Sequence, residues 1–207
     1  MISGQPGEER FAHLLSQPSV VKIRSALASH SPVAADDEEG VRNAAVALIF
    51  RLGKDGVLEL LFIKRAEYEG DPWSGQIAFP GGRVEPGDAS LAETAIRETR
   101  EETGIDLTRE GIIIGTLDDL RPRTVSLPPI MVRPYVALLD RREPLVLSPE
   151  VALSFWLPLA AVARTESWHD ETVSARGVQI NARVFRHEQH VIWGMTERIL
   201  AQLLELL

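Results

Sequence analysis

Cysteine is absent from the 207 residues of this sequence. Neither a disulfide nor a thiolate metal site can form, so a metal ion would have to be bound by carboxylate, imidazole or carbonyl groups, which favours hard cations. Long apolar runs are also missing, since no stretch approaches the roughly 20 residues that cross a bilayer. The N-terminal segment MISGQPGEER carries neither the basic start nor the apolar run of a secretory signal. These absences predict a cytoplasmic protein that does not contact membranes.

Basic residues are outnumbered by acidic ones, with 22 Lys and Arg against 30 Asp and Glu and a formal net charge of −8. A nucleic acid polymer would be repelled by such a surface instead of releasing counterions to it, which excludes nucleic acid as a partner. An anionic small molecule would need a bound cation to screen it. The length and the 44% hydrophobic content are sufficient for one domain with a proper core.

The chain divides into an N-terminal extension and a main domain. Residues 8–30 have apolar positions at helical spacing, and the stretch that follows, SPVAADDEEG, has the composition of an acidic linker. Residues 1–37 are therefore predicted to be a helical extension with its linker, and residues 38–207 the main domain. At the start of that domain, NAAVALIFRL and VLELLFIKRA flank an Asp-Gly turn and predict two adjacent antiparallel strands.

Strand patterns dominate the second half of the chain. Strands are predicted in EGIIIGTLDDL, IMVRPYVALL and ALSFWLPL, a hairpin in VQINARVFRHEQHVIWG, a short helix in PLAAVAR and an amphipathic helix in WGMTERILAQLLELL. Strands mixed with two or three helices, without regular βαβα alternation, predict an α+β fold in which a mixed sheet packs between helices. The apolar stripe of the last helix favours core packing or a homodimer contact.

A long segment rich in Gly and Pro, EGDPWSGQIAFPGGRVEPGD, precedes the most informative helix. The segment has too many turn formers for a regular element, and long ordered loops usually carry function. The helix is predicted over about residues 90–103, because Ser90 and Glu93 form a capping box and Gly104 can adopt the left-handed conformation just past its end.

Three glutamates of that helix, Glu98, Glu101 and Glu102, fall within an arc of about 100°, beside an arc of buried-type residues. Their mutual repulsion costs roughly 0.2–0.5 kcal/mol per pair, which a divalent cation would offset. Mg²⁺ and Mn²⁺ prefer such oxygen ligands and retain waters that can act as nucleophiles. Arg97 lies four residues before Glu101 and can hold its carboxylate in place. The alternative is a solvated, charged helix face with an Arg/Glu pair.

The preceding loop favours the metal-binding interpretation. Gly81 and Gly82 allow the backbone to approach a ligand closely, and Pro80 stiffens the entry to this turn. A glycine-rich turn that runs toward a capped helix can present backbone groups to a metal ion and to phosphate.

The stretch from Gly82 to Ile105, GRVEPGDASLAETAIRETREETGI, resembles the signature of the Nudix hydrolase family. Thr99 stands where the general pattern has an aliphatic residue, and the interval from Asp88 to Arg97 is one residue longer than usual. Both departures resemble the coenzyme A pyrophosphatase branch of that family. This branch also has FPGG before the signature and an Ile-Trp-Gly-x-Thr run near the end, here residues 79–82 and 192–196.

The upstream element of the branch is only partly matched. Its Leu-Leu run, first arginine and glycine correspond to Leu60, Leu61, Arg65 and Gly75. Asp71 stands where the branch has a second arginine, and it would repel an anionic group that such an arginine would meet.

The resemblance implies a Nudix-type α/β/α sandwich with a mixed sheet and a specific assignment of site residues. Hydrolysis of a pyrophosphate bond is implied, in a nucleoside diphosphate linked to another moiety such as coenzyme A or acyl-CoA. Glu98, Glu101, Glu102 and the Gly82 carbonyl are the expected ligands of Mg²⁺ or Mn²⁺, and Arg97 is expected to orient them. The expected general base is Glu98 or, on a later loop, Glu150. The candidate substrate contacts are Gly81, Gly82, Arg83, Arg65 and, as a further phosphate clamp, Arg121.

Two other functions remain open at this stage. One keeps the chemistry and changes the substrate to ADP-ribose, a dinucleotide or an oxidised nucleoside triphosphate. The other is a catalytically silent Nudix module that senses a nucleotide, although such a module would not need to keep all three glutamates.

Overall fold

A mixed seven-stranded sheet lies at the centre of the part of the chain that the computed structural model describes, residues 10–36, 38–122, 129–140, 144–175 and 178–207. Its path runs β3-β2-β1-β6-β5, with β4 on β1 and β7 on β2, and only β1 and β6 pair in parallel. The strands are β1 (Arg42–Leu52), β2 (Leu58–Arg65), β3 (Ile77–Ala78), β4 (Gly81–Arg83), β5 (Gly111–Thr116), β6 (Ile130–Leu139) and β7 (Val151–Pro158).

Helices cover both faces of this sheet. Because side chains alternate along a strand, Leu48 and Phe50 of β1 point into one core, whereas Ala47 and Ile49 point into the other. The first core is closed by α2 (Pro18–Ser29) and α6 (Gly194–Leu206), and the second by α3 (Leu91–Thr103) and α4 (Leu107–Glu110). The predicted sandwich with a mixed sheet between helices is confirmed.

The N-terminal segment packs into the same core as the sheet. It forms α1 (Ala12–Leu15) and α2, and Val20, Ile23 and Leu27 of α2 are buried against sheet residues. The linker that follows is bound through its backbone, since the amide of Ala35 donates to Asp119 over 2.8 Å. The division of the chain at residue 37 stays a proposal.

A second, three-stranded sheet is built from β8 (Trp168–Ala175), β9 (Val178–His187) and β10 (His190–Ile192). The short helix α5 (Leu159–Val162) and a 3₁₀ turn, Thr165–Ser167, lead into it. The predicted hairpin is present as β9 and β10, but β8 was not predicted. Its sequence WHDETVSA is mostly polar, and His169, Asp170, Thr172 and Ser174 are exposed.

The Gly/Pro-rich segment is more regular than predicted. It contains β3 and β4, which pair with β2 and β1 respectively. Two or three residues are enough for each strand, because the neighbouring long strand supplies all the pairing partners. No helix among the described residues has the length and apolarity to cross a membrane.

Helix α3 begins and ends as the sequence predicts. The Ser90 hydroxyl accepts a hydrogen bond from the Glu93 amide over 3.2 Å, and the Glu93 carboxylate accepts one from the Ala89 amide over 2.8 Å. Gly104 closes the helix in the left-handed conformation, with φ of 72°. The capping side chains therefore fix the direction in which the glutamates of α3 emerge.

We expect Ser90→Ala to lower the free energy of unfolding by about 1 kcal/mol, because the first turn of α3 loses its side-chain cap. Urea denaturation followed by circular dichroism measures the change. Ser25→Ala is the matched control, since Ser25 is exposed within α2 and caps nothing. Equal effects of the two substitutions would contradict the capping role.

Candidate active site

A cleft of about 830 Å³ brings together every residue that the sequence assigned to catalysis, metal binding or substrate contact, apart from Arg121. Helix α3 contributes its acidic face, β4 contributes the glycine pair, and the turn before β7 contributes one further glutamate. The predicted site residues that line the cleft are Arg65, Gly81, Gly82, Arg83, Arg97, Glu98, Glu101, Glu102 and Glu150. Arg121 lies elsewhere, where its guanidinium pairs with Glu38 at 2.8 Å.

Two glycines allow α3 and β1 to approach β4 closely. Gly81 has φ of +151°, and a Cβ there would lie 2.2 Å from the Ala45 carbonyl oxygen of β1. A Cβ on Gly82 would lie 2.4 Å from a carboxylate oxygen of Glu98. The Gly81 amide donates to Glu102 over 2.9 Å. The glycine pair thus lets the backbone of β4 contact two of the three glutamates.

We expect Gly82→Ala to reduce turnover by about 100-fold with little loss of stability, because the new methyl group displaces only the end of the Glu98 side chain. Gly81→Ala should instead destabilise the fold, since its methyl group meets the backbone of β1 and its φ disfavours a side chain. Steady-state rates and thermal unfolding separate the two effects. Gly87→Ala is the control, because a Cβ there has no atom within 4 Å.

Arg97 holds the acidic face of α3 in place. Its Nε and Nη2 donate to both oxygens of Asp88 at 3.0 Å, and its Nη1 lies 3.0 Å from Glu98 and 3.1 Å from Glu101. Nη2 also donates to the Arg83 carbonyl over 2.9 Å. One guanidinium therefore ties the loop before α3 to two of its glutamates.

Asp88 belongs to this arrangement, and it was not among the predicted site residues. Its carboxylate also accepts from the Thr94 hydroxyl and the Glu85 amide, both over 2.9 Å. The hydrogen bond from Arg97 holds the pKa of Asp88 well below its usual range. The sequence pattern does mark Asp88 as a spaced acidic position. It does not show that Asp88 binds Arg97.

Burial raises the pKa of two carboxyl groups in the cleft. The pKa of Glu102 rises to about 7, opposed by the hydrogen bond from Gly81 and by the charge of Arg65. The pKa of Glu98 is also raised by burial, opposed by Arg97. The charge of Glu150 raises both pKa values further, so Glu150 faces the same space. The cleft accumulates negative charge that a bound cation would relieve.

Metal ligands are not assembled as the side chains stand. Across the described ranges, no group of three or more His, Asp or Glu side chains is placed to hold a metal ion. Arg97 donates hydrogen bonds to Glu98 and Glu101, and the Gly81 amide donates one to Glu102. The donors nevertheless suit a hard divalent cation, because the side-chain donors are all carboxylate oxygens and lie beside a backbone cradle that a Cβ would fill.

The three arginines of the cleft differ in their partners. Arg65 is bound by Asp71 at 2.9 Å and lies 3.7 Å from Glu102. Arg97 is bound by Asp88, Glu98 and Glu101. Arg83 is exposed, and its side chain has no hydrogen bond or ion pair with the described residues.

Comparisons with known proteins agree with this geometry. The NUDIX domain family model matches residues 41–176. The uncharacterized Nudix hydrolase NudL of Photorhabdus laumondii is 38% identical over 131 residues, 63% of this chain and 67% of that protein. The mitochondrial coenzyme A diphosphatase NUDT8 of Homo sapiens is 32% identical over 169 residues, 79% of this chain and 69% of that protein.

Solved structures give the same fold. A C. elegans Ap4A hydrolase in a binary complex has a TM-score of 0.50 and 27% identity, covering 59% of this chain and 83% of its own. A MutT/nudix family protein from Enterococcus faecalis has a TM-score of 0.50 and 19% identity, covering 92% of this chain and 63% of its own. The chain belongs to the Nudix hydrolase family. It is an enzyme of pyrophosphate hydrolysis, in a family that generally uses divalent metal ions.

Proposed function

We propose that this protein hydrolyses the pyrophosphate bond of a nucleoside diphosphate linked to another moiety, with coenzyme A or an acyl derivative as the substrate. The observation that carries the proposal is the contact between the glycine pair and the glutamates of α3 inside one cleft. The Gly81 amide binds Glu102, and Gly82 lies against Glu98 with no room for a side chain. The 32% identity to a coenzyme A diphosphatase supports this choice of substrate.

Glu98, Glu101, Glu102 and the Gly82 carbonyl are the groups proposed to hold Mg²⁺ or Mn²⁺. When bound, such an ion neutralises charge on the phosphoryl oxygens and lowers the pKa of a water molecule. Arg97 keeps Glu98 and Glu101 on one side of the cleft through its two hydrogen bonds. Glu98 or, alternatively, Glu150 is proposed to accept the proton of the attacking water, since both residues line the cleft.

The substrate's phosphates and its uncharged part would meet different parts of the lining. Arg83 offers a cation without a carboxylate partner among the described residues, which suits a phosphate oxygen. A second part of the lining is apolar and suits a pantetheine or acyl chain. It consists of Ile77, Phe79, Val132, Met195 and Ile199.

A substrate panel with Mg²⁺ and with Mn²⁺ tests the proposal. We expect coenzyme A and water to give phosphopantetheine and adenosine bisphosphate, which chromatography separates. Turnover of ADP-ribose, of an oxidised nucleoside triphosphate or of a dinucleotide such as Ap4A, without turnover of coenzyme A, would refute the substrate and keep the chemistry. Binding of nucleotides without any turnover would support the silent sensor instead.

A further inference from the structure

Asp71 forms an ion pair with Arg65, an arginine that lines the cleft. Its Oδ2 accepts from Arg65 Nη2 over 2.9 Å and from Nε over 3.3 Å, while its Oδ1 accepts from the Trp73 amide over 3.0 Å. Both Asp71 and Arg65 are mostly buried side chains, with 18% and 27% exposure. The remaining nitrogen of Arg65, Nη1, lies 3.7 Å from Glu102. Every nitrogen of this guanidinium therefore faces a carboxylate.

Hydrogen bonds fix the loop that carries Asp71, so the position of Asp71 beside Arg65 is set by the fold. The Arg65 amide donates to the Gln76 carbonyl over 3.0 Å, and the Ala66 amide donates to the Glu150 carbonyl over 2.8 Å. The Tyr68 amide donates to the Ser74 hydroxyl over 2.9 Å. These bonds fix the loop on β2 and on the turn that bears Glu150.

The pairing of Arg65 makes it electrostatically different from Arg83, although both arginines line the cleft. Arg83 is exposed, and its side chain contacts no carboxylate among the described residues. Arg65 is bound by Asp71 at 2.9 Å and lies 3.7 Å from Glu102, so its charge is offset by a carboxylate partner. A phosphate that approached Asp71 would meet like charge, whereas the neighbouring Tyr68 and Trp73 offer uncharged surface.

We propose that Asp71 is a specificity-determining residue, which selects against a phosphate group on the part of the nucleotide that lies beside Arg65. The inference rests on the proposed hydrolysis and refines its substrate: where the ribose phosphate lies beside Arg65, 3′-dephospho-coenzyme A is expected to bind more tightly than coenzyme A. Asp71 repels the phosphate directly, and its ion pair with Arg65 keeps this arginine from binding the phosphate. Specificity often depends on such a repulsive element.

The test uses two pairs of ligands that differ by one ribose phosphate: coenzyme A with 3′-dephospho-coenzyme A, and NADPH with NADH. Dissociation constants are measured by titration calorimetry with Mg²⁺ in a Glu98→Gln background, so that little ligand is consumed. For each variant, the ratio of the two constants within a pair cancels contributions that both ligands share. Turnover by the unmodified protein is measured separately and tests the proposed function.

Asp71→Asn should shift the ratio at least about fivefold in favour of the phosphorylated ligand in one or both pairs, because a like charge is removed. Asparagine keeps an oxygen for the Trp73 amide. Asp71→Glu should keep the original ratio. Glu59→Gln is the matched control, since Glu59 binds Arg51 at 2.9 Å outside the cleft with similar exposure.

Several results would overturn the inference. An unchanged ratio in Asp71→Asn would do so, as would the failure of both pairs to bind. Equal weakening of both ligands in Asp71→Ala and Asp71→Asn, with a lower melting temperature, would mean that Asp71 only supports the loop. A shifted ratio without turnover of any nucleotide would instead reject the proposed function and keep the role of Asp71.

Discussion

Glu98→Gln should reduce turnover by about 10²–10⁴-fold while the protein stays folded. Glutamine has almost the same shape and can still accept the hydrogen bond from Arg97, but it has no negative charge for a metal ion and cannot accept a proton. The Glu98 carboxyl group lies against Gly82 and next to Arg97, at the centre of the acidic cluster. Initial rates over a range of Mg²⁺ concentrations measure the loss and show whether excess metal restores any activity.

Glu102→Gln should lose activity to a similar extent and should not lose stability. Burial raises the pKa of Glu102 to about 7, above its ordinary value of 4.5. A raised pKa in the folded state means that the neutral form is favoured there, so stability falls as the pH rises through about 7. Glutamine imitates that neutral form and keeps an acceptor for the Gly81 amide. In metal-free protein at pH 8, the variant should unfold at the same or a higher temperature than the original chain.

Glu205→Gln provides the control for both substitutions, because Glu205 is an exposed glutamate of α6 outside the cleft. We expect its rate and melting temperature to match those of the unmodified protein. Full activity of Glu98→Gln and Glu102→Gln would remove both residues from the mechanism. Loss of activity together with loss of the circular dichroism spectrum would trace the effect to folding.

The acidic helix was predictable from the sequence because its signals are local. The cap at Ser90, the glycine at 104 and the i, i+3, i+4 spacing of Glu98, Glu101 and Glu102 all depend on residues within one helix. The β1–β2 hairpin was predictable for the same reason. The glycine pair, Gly81 and Gly82, was also recognisable in the sequence, although only the structure shows which atoms exclude their Cβ groups.

The remaining features depend on residues that are distant in sequence. Strand β8 exists because β9 pairs with it, and its polar sequence carries little alternation of its own. Glu102 belongs to the charged face by helical position, yet it is buried beneath β4. The sequence showed Asp71 only as an acidic residue in place of an arginine of the branch, whereas the fold gives it Arg65 as a partner. Patterns predict which residues share a face, but packing decides which of them are desolvated or paired.

The second large effect is expected for Arg97, because several carboxylates depend on it. The side chains of Asp88 and Glu98 are 5% and 16% exposed, and both are bound by its guanidinium. Arg97→Ala leaves these charges without their partner, and breaking a buried ion pair in this way costs about 3–5 kcal/mol. A loss of that size is a large fraction of the stability of a typical domain, about 5–15 kcal/mol. We expect a much lower urea midpoint and little activity.

Less severe variants keep the prediction measurable if Arg97→Ala fails to fold. Arg97→Lys retains the charge but cannot bind both oxygens of Asp88, and Asp88→Asn removes the charge on the other side. Each should destabilise the protein by about 1–3 kcal/mol, and the double variant by less than the sum, since the residues are in direct contact. Arg186→Gln is the control, because Arg186 pairs with Glu171 on the exposed surface of the second sheet. It should leave the urea midpoint nearly unchanged.

The pH dependence of the unfolding free energy tests whether the ion pair of Asp88 with Arg97 stabilises the protein. Arg97 holds the pKa of Asp88 below its ordinary value of 3.8, so the unfolded chain binds a proton to this group more readily than the folded protein. The stabilisation is therefore complete above about pH 4 and declines as the pH falls further. The difference in unfolding free energy between the unmodified protein and Asp88→Asn should be constant from pH 5 to 7 and shrink below pH 4. A difference that is independent of pH down to pH 2.5 would show that the charge of Asp88 contributes nothing to the stability of the site.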